Sequence, residues 1–114
     1  MINRGEIWLI ELDPTVGAEM RKTRPALVIS DNAIGKLPLR VVVPLTGWKE
    51  HFQSWPWLVR IESGAENGLG KASAADCFQI RSVSVDRMVN RLGVVEPEIV
   101  AQVQAAIELV IGAY

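Results

Sequence analysis

The order of elements that the sequence predicts is several strands and then one helix. That makes the chain an α+β protein, mainly β: a small antiparallel or partly closed barrel carrying a terminal helix. Three observations lead there. Short runs of β-branched and apolar residues recur as far as Val94, bounded by Gly, Pro, Asn and Asp. Only the last segment, EPEIVAQVQAAIELVIGAY, has apolar residues at helical spacing. The chain is 114 residues long and 49% apolar, which suits one compact core and leaves no room for a second. Residues 1–114 are therefore expected to form a single domain.

RGEIWLIEL, Arg4 to Leu12, mixes β-branched, aromatic and charged residues in near alternation, with Ile7 and Leu9 facing one way and Trp8 and Ile10 the other. It reads as a strand with both faces partly covered. DPTVGAEMRKT, Asp13 to Thr23, opens on Asp-Pro, contains Gly17 and leads into the cations Arg21, Lys22 and Arg24; it is expected to be a long exposed loop. A second strand runs from Pro25 to Ser30, with the proline at a first position, where it sacrifices no ladder hydrogen bond. After the turn DNAIGKLP, the continuous apolar run of RVVVPLT, Arg40 to Thr46, predicts a deeply buried third strand; Pro44 suggests that its end is an edge or a bulge.

GWKEHFQSWPW, Gly47 to Trp57, is a second long loop, rich in aromatic and polar residues. LVRIE forms a fourth strand, and SGAENGLGK is turn chemistry throughout. A fifth strand is expected within ASAADCFQIRSVS, Ala72 to Ser84, followed by a helical turn from Asp86 and a brief strand near Val94. Pro97 suits a first helical position, and Ile99, Val100, Val103, Ala106, Ile107, Val110 and Ile111 form the apolar stripe of the terminal helix.

Composition excludes several function classes. Cys77 is the only cysteine and His51 the only histidine, so neither an internal disulfide nor a zinc cluster is expected, and Cys77 reads as a small buried side chain. No metal and no cofactor are expected. No apolar run approaches the roughly 18 residues of a membrane span, and MINRGEIW lacks the apolar centre of a secretory signal. The expectation is a cytoplasmic protein with no membrane contact. The net charge of −1 is unevenly spread: residues 1–60 carry eight Lys/Arg against six Asp/Glu, and residues 61–114 carry four against seven. An anion would therefore be drawn to the first half.

No phosphate-cradling glycine motif and no carboxylate-rich metal motif is present, which leaves the two long polar loops as the places for chemistry. The first brings Glu19, Arg21, Lys22 and Arg24; the second starts at Thr46 and runs through Trp48, Lys49, His51, Trp55 and Trp57. Cations interleaved with aromatics suit a single-stranded nucleic acid, whose phosphates follow the charges and whose bases stack on the rings. The alternative for each tryptophan is a place in the core. Arg24 stands apart, because Pro25 restricts it to extended geometry and a rigid strand lies behind it. A guanidinium held in that way is pre-positioned for a transition state. In FQIRS, Phe78 to Ser82, alternation would put Gln79 and Arg81 on one face. They either contact base edges and phosphate or make an ordinary salt-bridged exterior.

RGEIW, LDPTVGAE, TRPALVIS, VVVPLT, QIRSV with Asp86, RLG and the final amphipathic helix follow one another over nearly the whole chain. In that order they resemble the MazF/PemK/Kid family of toxin endoribonucleases from bacterial toxin-antitoxin systems. The resemblance implies an SH3-like barrel of the CcdB/PemK type, assembled as a homodimer. It implies metal-independent cleavage of single-stranded RNA at short sequences, which stops translation and growth. The nucleophile would be the RNA's own 2′-hydroxyl, and the products a 2′,3′-cyclic phosphate and a 5′-hydroxyl. The family's catalytic arginine falls on Arg24 and its catalytic threonine on Thr46; Glu19 matches the acidic position of the first loop, and Gln79 and Arg81 match the family's Q-x-R segment. Arg21, Lys22, Trp48 and Lys49 are the further candidates for RNA contact.

A cognate MazE-like antitoxin is the implied partner, its acidic and apolar tail lying over Arg21, Lys22 and Arg24 in place of RNA. This chain departs from some members, with Ala18 where they carry a histidine and Phe78 where they carry an aspartate. Those members' acid and base assignments do not transfer. An arginine stays protonated and makes a poor base, so the proton-transfer role is open among Arg24, Glu19 and solvent. Two other readings share the barrel: a CcdB-like topoisomerase poison and a catalytically idle RNA-binding relative.

Overall fold

The computed structural model describes residues 1–114. Seven strands form one antiparallel sheet: β1 (Glu6–Glu11), β2 (Thr23–Val28), β3 (Leu39–Gly47), β4 (Leu58–Ile61), β5 (Ser73–Asp76), β6 (Arg81–Ser84) and β7 (Met88–Val94). The helix α1 (Pro97–Val110) follows. The path through the sheet is β4-β5-β3-β2-β1-β7, with β6 paired to the other half of β3. No helix is long and apolar enough to cross a membrane.

Alternation along the strands divides the apolar residues between two faces. Ile7, Leu27, Val43 and Leu45 point to the larger core, where Val100, Val103 and Ala106 of α1 cover them. Ile10, Leu12, Ala26, Val28 and Val42 point to the opposite face and form a smaller core with Val83. Ile7, Ile10, Leu27, Val28, Val42 and Val43 are fully buried, and each such side chain contributes about 1.5–3 kcal/mol. Pro97 occupies the first turn of α1, and the buried positions recur three residues apart, as the sequence predicts.

The mainly antiparallel architecture with its terminal amphipathic helix is the expected one, although the hydrogen-bonded ladder does not close on itself. β4 and β7 are its two ends, and the turn-rich loop after β4 spans the gap. Val94 donates its N–H to the Glu66 carbonyl at 2.9 Å. Asn67 organises that loop, donating to the Glu62 carbonyl at 2.8 Å and accepting from the Leu69 N–H at 2.9 Å. The approach requires glycine: a Cβ on Gly93 would stand 2.2 Å from the Glu66 carbonyl oxygen.

Three sequence expectations need correction. The segment Ala72 to Ser84 holds two strands, because a 3₁₀ turn at Cys77–Gln79 interrupts it. Asp76 makes the break by accepting the Phe78 N–H on its side chain at 3.1 Å, a local bond that competes with the ladder. Gln79 and Arg81 therefore do not share a strand face. Pro44 sits in a central strand and not at an edge: β3 pairs with β6 as far as Val42 and with β5 from Leu45, so the missing N–H falls where the partner changes. The last strand is longer than its sequence suggests, because irregularities in its register with β1 break the alternation.

Candidate functional site

The second face of the sheet carries two of the residues that the sequence singles out, Arg24 and Thr46. β2 and β3 pair through Ala26 and Pro44. Continuing that register two residues further brings Arg24 opposite Thr46 on the face that carries Ala26, Val28 and Val42. Both are half-buried. They line one cleft of about 280 Å³ together with Lys22, Gly47, Lys71 and Ser73. No carboxylate borders it.

Arg24 is held as the sequence suggests. Its Nε donates to the Arg21 carbonyl at 3.0 Å, and this is the only hydrogen bond of its guanidinium, so both terminal nitrogens keep their donors free. Arg21 thus contributes its main chain to the site, while its side chain is exposed. Lys22 has a φ of 69°, a left-handed geometry that a non-glycine residue holds only when its surroundings impose it. Two bonds impose it here: its N–H donates to Asp13 Oδ2 at 3.1 Å, and its carbonyl accepts from the Leu12 N–H at 2.9 Å.

A second cleft, of about 450 Å³, adjoins the first along β3 and is bordered by Glu19, Met20, Pro44, Phe78, Gln79 and Arg81. Its roof is the loop of residues 13–22. Gln79 pins that loop twice, accepting the Met20 N–H on Oε1 at 2.9 Å and donating from Nε2 to the Ala18 carbonyl at 3.1 Å. Arg81 donates to the Leu12 carbonyl at 3.2 Å. Glu19 accepts the Val16 N–H on its carboxylate at 2.6 Å. Neither Gln79 nor Arg81 joins an ion pair; the two in the chain are Arg60–Glu62 and Arg91–Glu6. The Q-x-R segment therefore supports the loop's main chain.

Beyond Gly47 the second loop lies outside both clefts. Trp48 packs edge-on against Phe52, with ring centroids 5.8 Å apart, and the Arg60 guanidinium lies 4.9 Å from its ring centroid. It belongs to a small apolar cluster with Phe52, Leu58 and Ala74. Lys49 is exposed ahead of a 3₁₀ turn at Glu50–Ser54. Trp57 stacks on Trp55 at 5.6 Å and meets Phe78 edge-on at 5.4 Å. This aromatic row starts at the lip of the second cleft, where Phe78 is 60% exposed. His51 rests against Phe52 and Trp55.

Cys77 is buried, and burial, reinforced by the Asp76 charge, pushes its thiol up to about 12. Such a thiol is not a nucleophile. Burial also raises Asp76 above its ordinary value, against the N–H groups of Phe78 and Gln79, which favour its charge.

Sequence reasoning misses Lys71 and Phe78. Lys71 closes a segment read as turns alone, although a cation just ahead of a short strand is the signal that marks Arg24. Phe78 is hidden by the assumption that its strand continues. What the first cleft offers is a guanidinium fork, a hydroxyl and two ammonium groups around one space, a donor set for the oxygens of a phosphodiester.

Known proteins resemble this chain over nearly its whole length. Endoribonuclease MazF9 of Mycobacterium tuberculosis is 33% identical over 115 residues, covering 96% of this chain and 95% of that protein. A crystal structure of MazF from Deinococcus radiodurans shares the fold with a TM-score of 0.81 at 22% identity, over 97% of this chain and 96% of that one. An endoribonuclease from a mycobacterial species, solved in complex with its cognate antitoxin, shares it with a TM-score of 0.76 at 20% identity, over 100% of this chain and 98% of that one. The family of PemK-like, MazF-like toxins of type II toxin-antitoxin systems matches residues 3–111. With that match and a third of its residues in common with a full-length relative, the chain belongs to the PemK-like, MazF-like toxin family.

Proposed function

We propose that this chain is a sequence-specific endoribonuclease toxin that cleaves single-stranded RNA without a metal ion and is neutralised by a cognate antitoxin. One observation carries the reading: Arg24 and Thr46 face each other in a cleft with two further cations and no carboxylate. A polyanion is the ligand such a cleft suits.

RNA brings its own nucleophile. The 2′-oxygen attacks phosphorus, the new bond closes a 2′,3′-cyclic phosphate, and the bond from phosphorus to the 5′-oxygen breaks. The 2′-hydroxyl gives up its proton, and the departing 5′-oxygen takes one up. No water is consumed in this step. Arg24 holds the non-bridging oxygens through its two free terminal nitrogens, where charge builds up in the transition state. Thr46 donates its hydroxyl to the same phosphate. Glu19 borders the adjoining cleft and is a candidate to move a proton with Arg24 and solvent. Arg21, Lys22, Trp48 and Lys49 extend the contact along the strand, and Gln79 and Arg81 shape the space for a neighbouring base.

The reading includes a single toxin domain over residues 1–114, a homodimer, and action in the cytoplasm. An antitoxin segment bearing carboxylates would compete with RNA for Arg21, Lys22 and Arg24. The mycobacterial relative solved with its antitoxin supports such a partner.

The test is to incubate the purified protein with single-stranded RNA in EDTA and to characterise the new ends. The expected result is cleavage leaving 5′-hydroxyl ends and cyclic phosphates. Cleavage that stops on chelation and returns with a divalent ion would overturn the mechanism.

A further inference from the structure

We propose that Lys71 is a third phosphate ligand of the cleft, acting on the same phosphodiester as Arg24 and Thr46, and that Gly47 is the residue that admits it. The proposal rests on reading the cleft as the site of RNA cleavage.

Lys71 comes from the loop between β4 and β5, far in sequence from Arg24, and reaches the cleft because β5 pairs with the end of β3. Thr46 is opposite Ala74 and Gly47 is opposite Ser73. The Lys71 side chain then lies across Gly47: a Cβ added there would stand 3.1 Å from Nζ and 3.3 Å from Cε. An exposed lysine with no other task extends into water, where its long stem keeps its rotamer freedom. This one folds back over the residue that follows Thr46.

It does so with no partner in the chain. Lys71 takes part in neither ion pair. Lys22, Arg24 and Lys71 surround one space, and no acidic side chain lines it. Three like charges gathered in that way repel one another unless an anion joins them. The strained backbone of Lys22 adds to the same argument. Arg24 supplies a planar fork and Lys71 a compact point charge, and the two complement each other on one phosphate.

Gly47 provides a second handle on the same contact. Its backbone is not in the left-handed region, and the only atoms a Cβ would crowd belong to the end of the Lys71 side chain. Gly47→Ala therefore moves the ammonium and leaves the chemistry of Lys71 intact.

The experiment uses the full chain and two probes: a single-stranded RNA for cleavage and its 2′-O-methyl counterpart, which lacks the nucleophile, for binding. Affinity for the uncleavable strand is measured over a range of salt concentrations. Each neutralised phosphate on a single strand contributes a slope of about −0.7 to the dependence of log affinity on log salt. Lys71→Met is expected to reduce the slope by about that amount and to slow cleavage roughly ten- to a hundredfold, the loss of one charge-assisted hydrogen bond. Lys71→Arg keeps the slope. Gly47→Ala slows cleavage by a smaller factor, and adding Lys71→Met to it costs less than Lys71→Met costs alone, because both act on one contact. Circular dichroism and thermal melting confirm that each variant folds.

Lys71→Met with the wild-type slope and rate overturns the assignment of Lys71 and leaves the ribonuclease reading standing. A slower Lys71→Met with an unchanged slope overturns it too, since that is the mark of a structural role. A wild-type protein that neither binds nor cleaves RNA overturns both.

Discussion

Arg24 and Thr46 stand opposite one another just beyond Ala26 and Pro44, the last pair shared by β2 and β3. Where the ladder stops, strands keep their direction and lose their mutual hydrogen bonds, so a ligand can enter between side chains that remain rigidly based. Arg24→Lys tests how much geometry matters beyond charge. Lysine cannot both hold the Arg21 carbonyl and present a fork. Cleavage of a single-stranded RNA should fall at least about a hundredfold in kcat/KM, with Tm unchanged within error. A fully active Arg24→Lys would reduce the residue to a generic cation.

Thr46→Val removes one hydroxyl and keeps the shape of the side chain. The rate should fall about ten- to a hundredfold if that hydroxyl bonds the phosphate in the transition state, while affinity for a 2′-O-methyl strand changes by less than about threefold. Thr46→Ser restores most of the rate. A fully active Thr46→Val beside a slow Thr46→Ser would point to the β-branched shape instead.

Gln79→Leu removes both bonds that fasten the loop of residues 13–22. The Met20 and neighbouring amides should exchange with solvent faster, by about tenfold or more, since a lost hydrogen bond is worth about 1 kcal/mol. KM for RNA should rise more than kcat falls. Unchanged exchange at Met20 would mean that the loop is held by other contacts.

Stability should respond to pH through two carboxylates of opposite sign. At Glu6, burial raises the pKa, but hydrogen bonds from the Asn3 N–H, Trp8 and Arg91, with the Arg91 charge, overcome it and leave the group below its ordinary 4.5. A depressed pKa contributes stability that is present above the unfolded value and is lost as pH falls below about 4.5 toward the folded one. Glu6→Gln should flatten that acid limb in a series of thermal melts. Burial raises Asp76, so its contribution runs the other way: it is present in acid and is lost as pH rises through the folded value. Asp76→Asn keeps an acceptor for the Phe78 N–H and should raise Tm at pH 7. A lower Tm there would mean that the charge is needed.

Gly93→Ala should be severe. Its Cβ would meet the Glu66 carbonyl oxygen and the Asn67 backbone, neither of which is a flexible tip, so β7 must move away from the loop. Such overpacking costs about 1–3 kcal/mol or more, which for a domain of this size lowers Tm by roughly 5–15 °C. A Tm within a degree or two of wild type would show that the gap between β4 and β7 is not closed by this contact.

Much of this was legible in the residues themselves. Val100, Val103 and Ala106 mark the helix because burial on one side imposes its period, and the run around Val43 marks β3 because both of its faces are covered. The same logic fails between Ala72 and Ser84. There a single carboxylate, Asp76, captures the N–H two residues on, and no apolar period records that bond. Arg24 was legible because a neighbour in sequence, Pro25, constrains it. Lys71 was not, because what constrains it is Gly47, which becomes its neighbour only when β5 pairs with β3. Trp48 could be read either as platform or as core; it is partly buried and packs edge-on against Phe52, a neighbour that the 3₁₀ turn of its loop brings to it.

The bonds that Gln79 makes to the loop end on a carbonyl and an amide, not on any side chain. A roof suspended by its main chain tolerates replacement of whatever hangs from it. Ala18, Arg21 and their neighbours can be exchanged without loosening the strap, and Gln79 would hold a different loop sequence at the same height. On the ribonuclease reading, choice of target is thereby separated from maintenance of the cleft: the side chains of the loop can vary while the guanidinium beneath stays where it is.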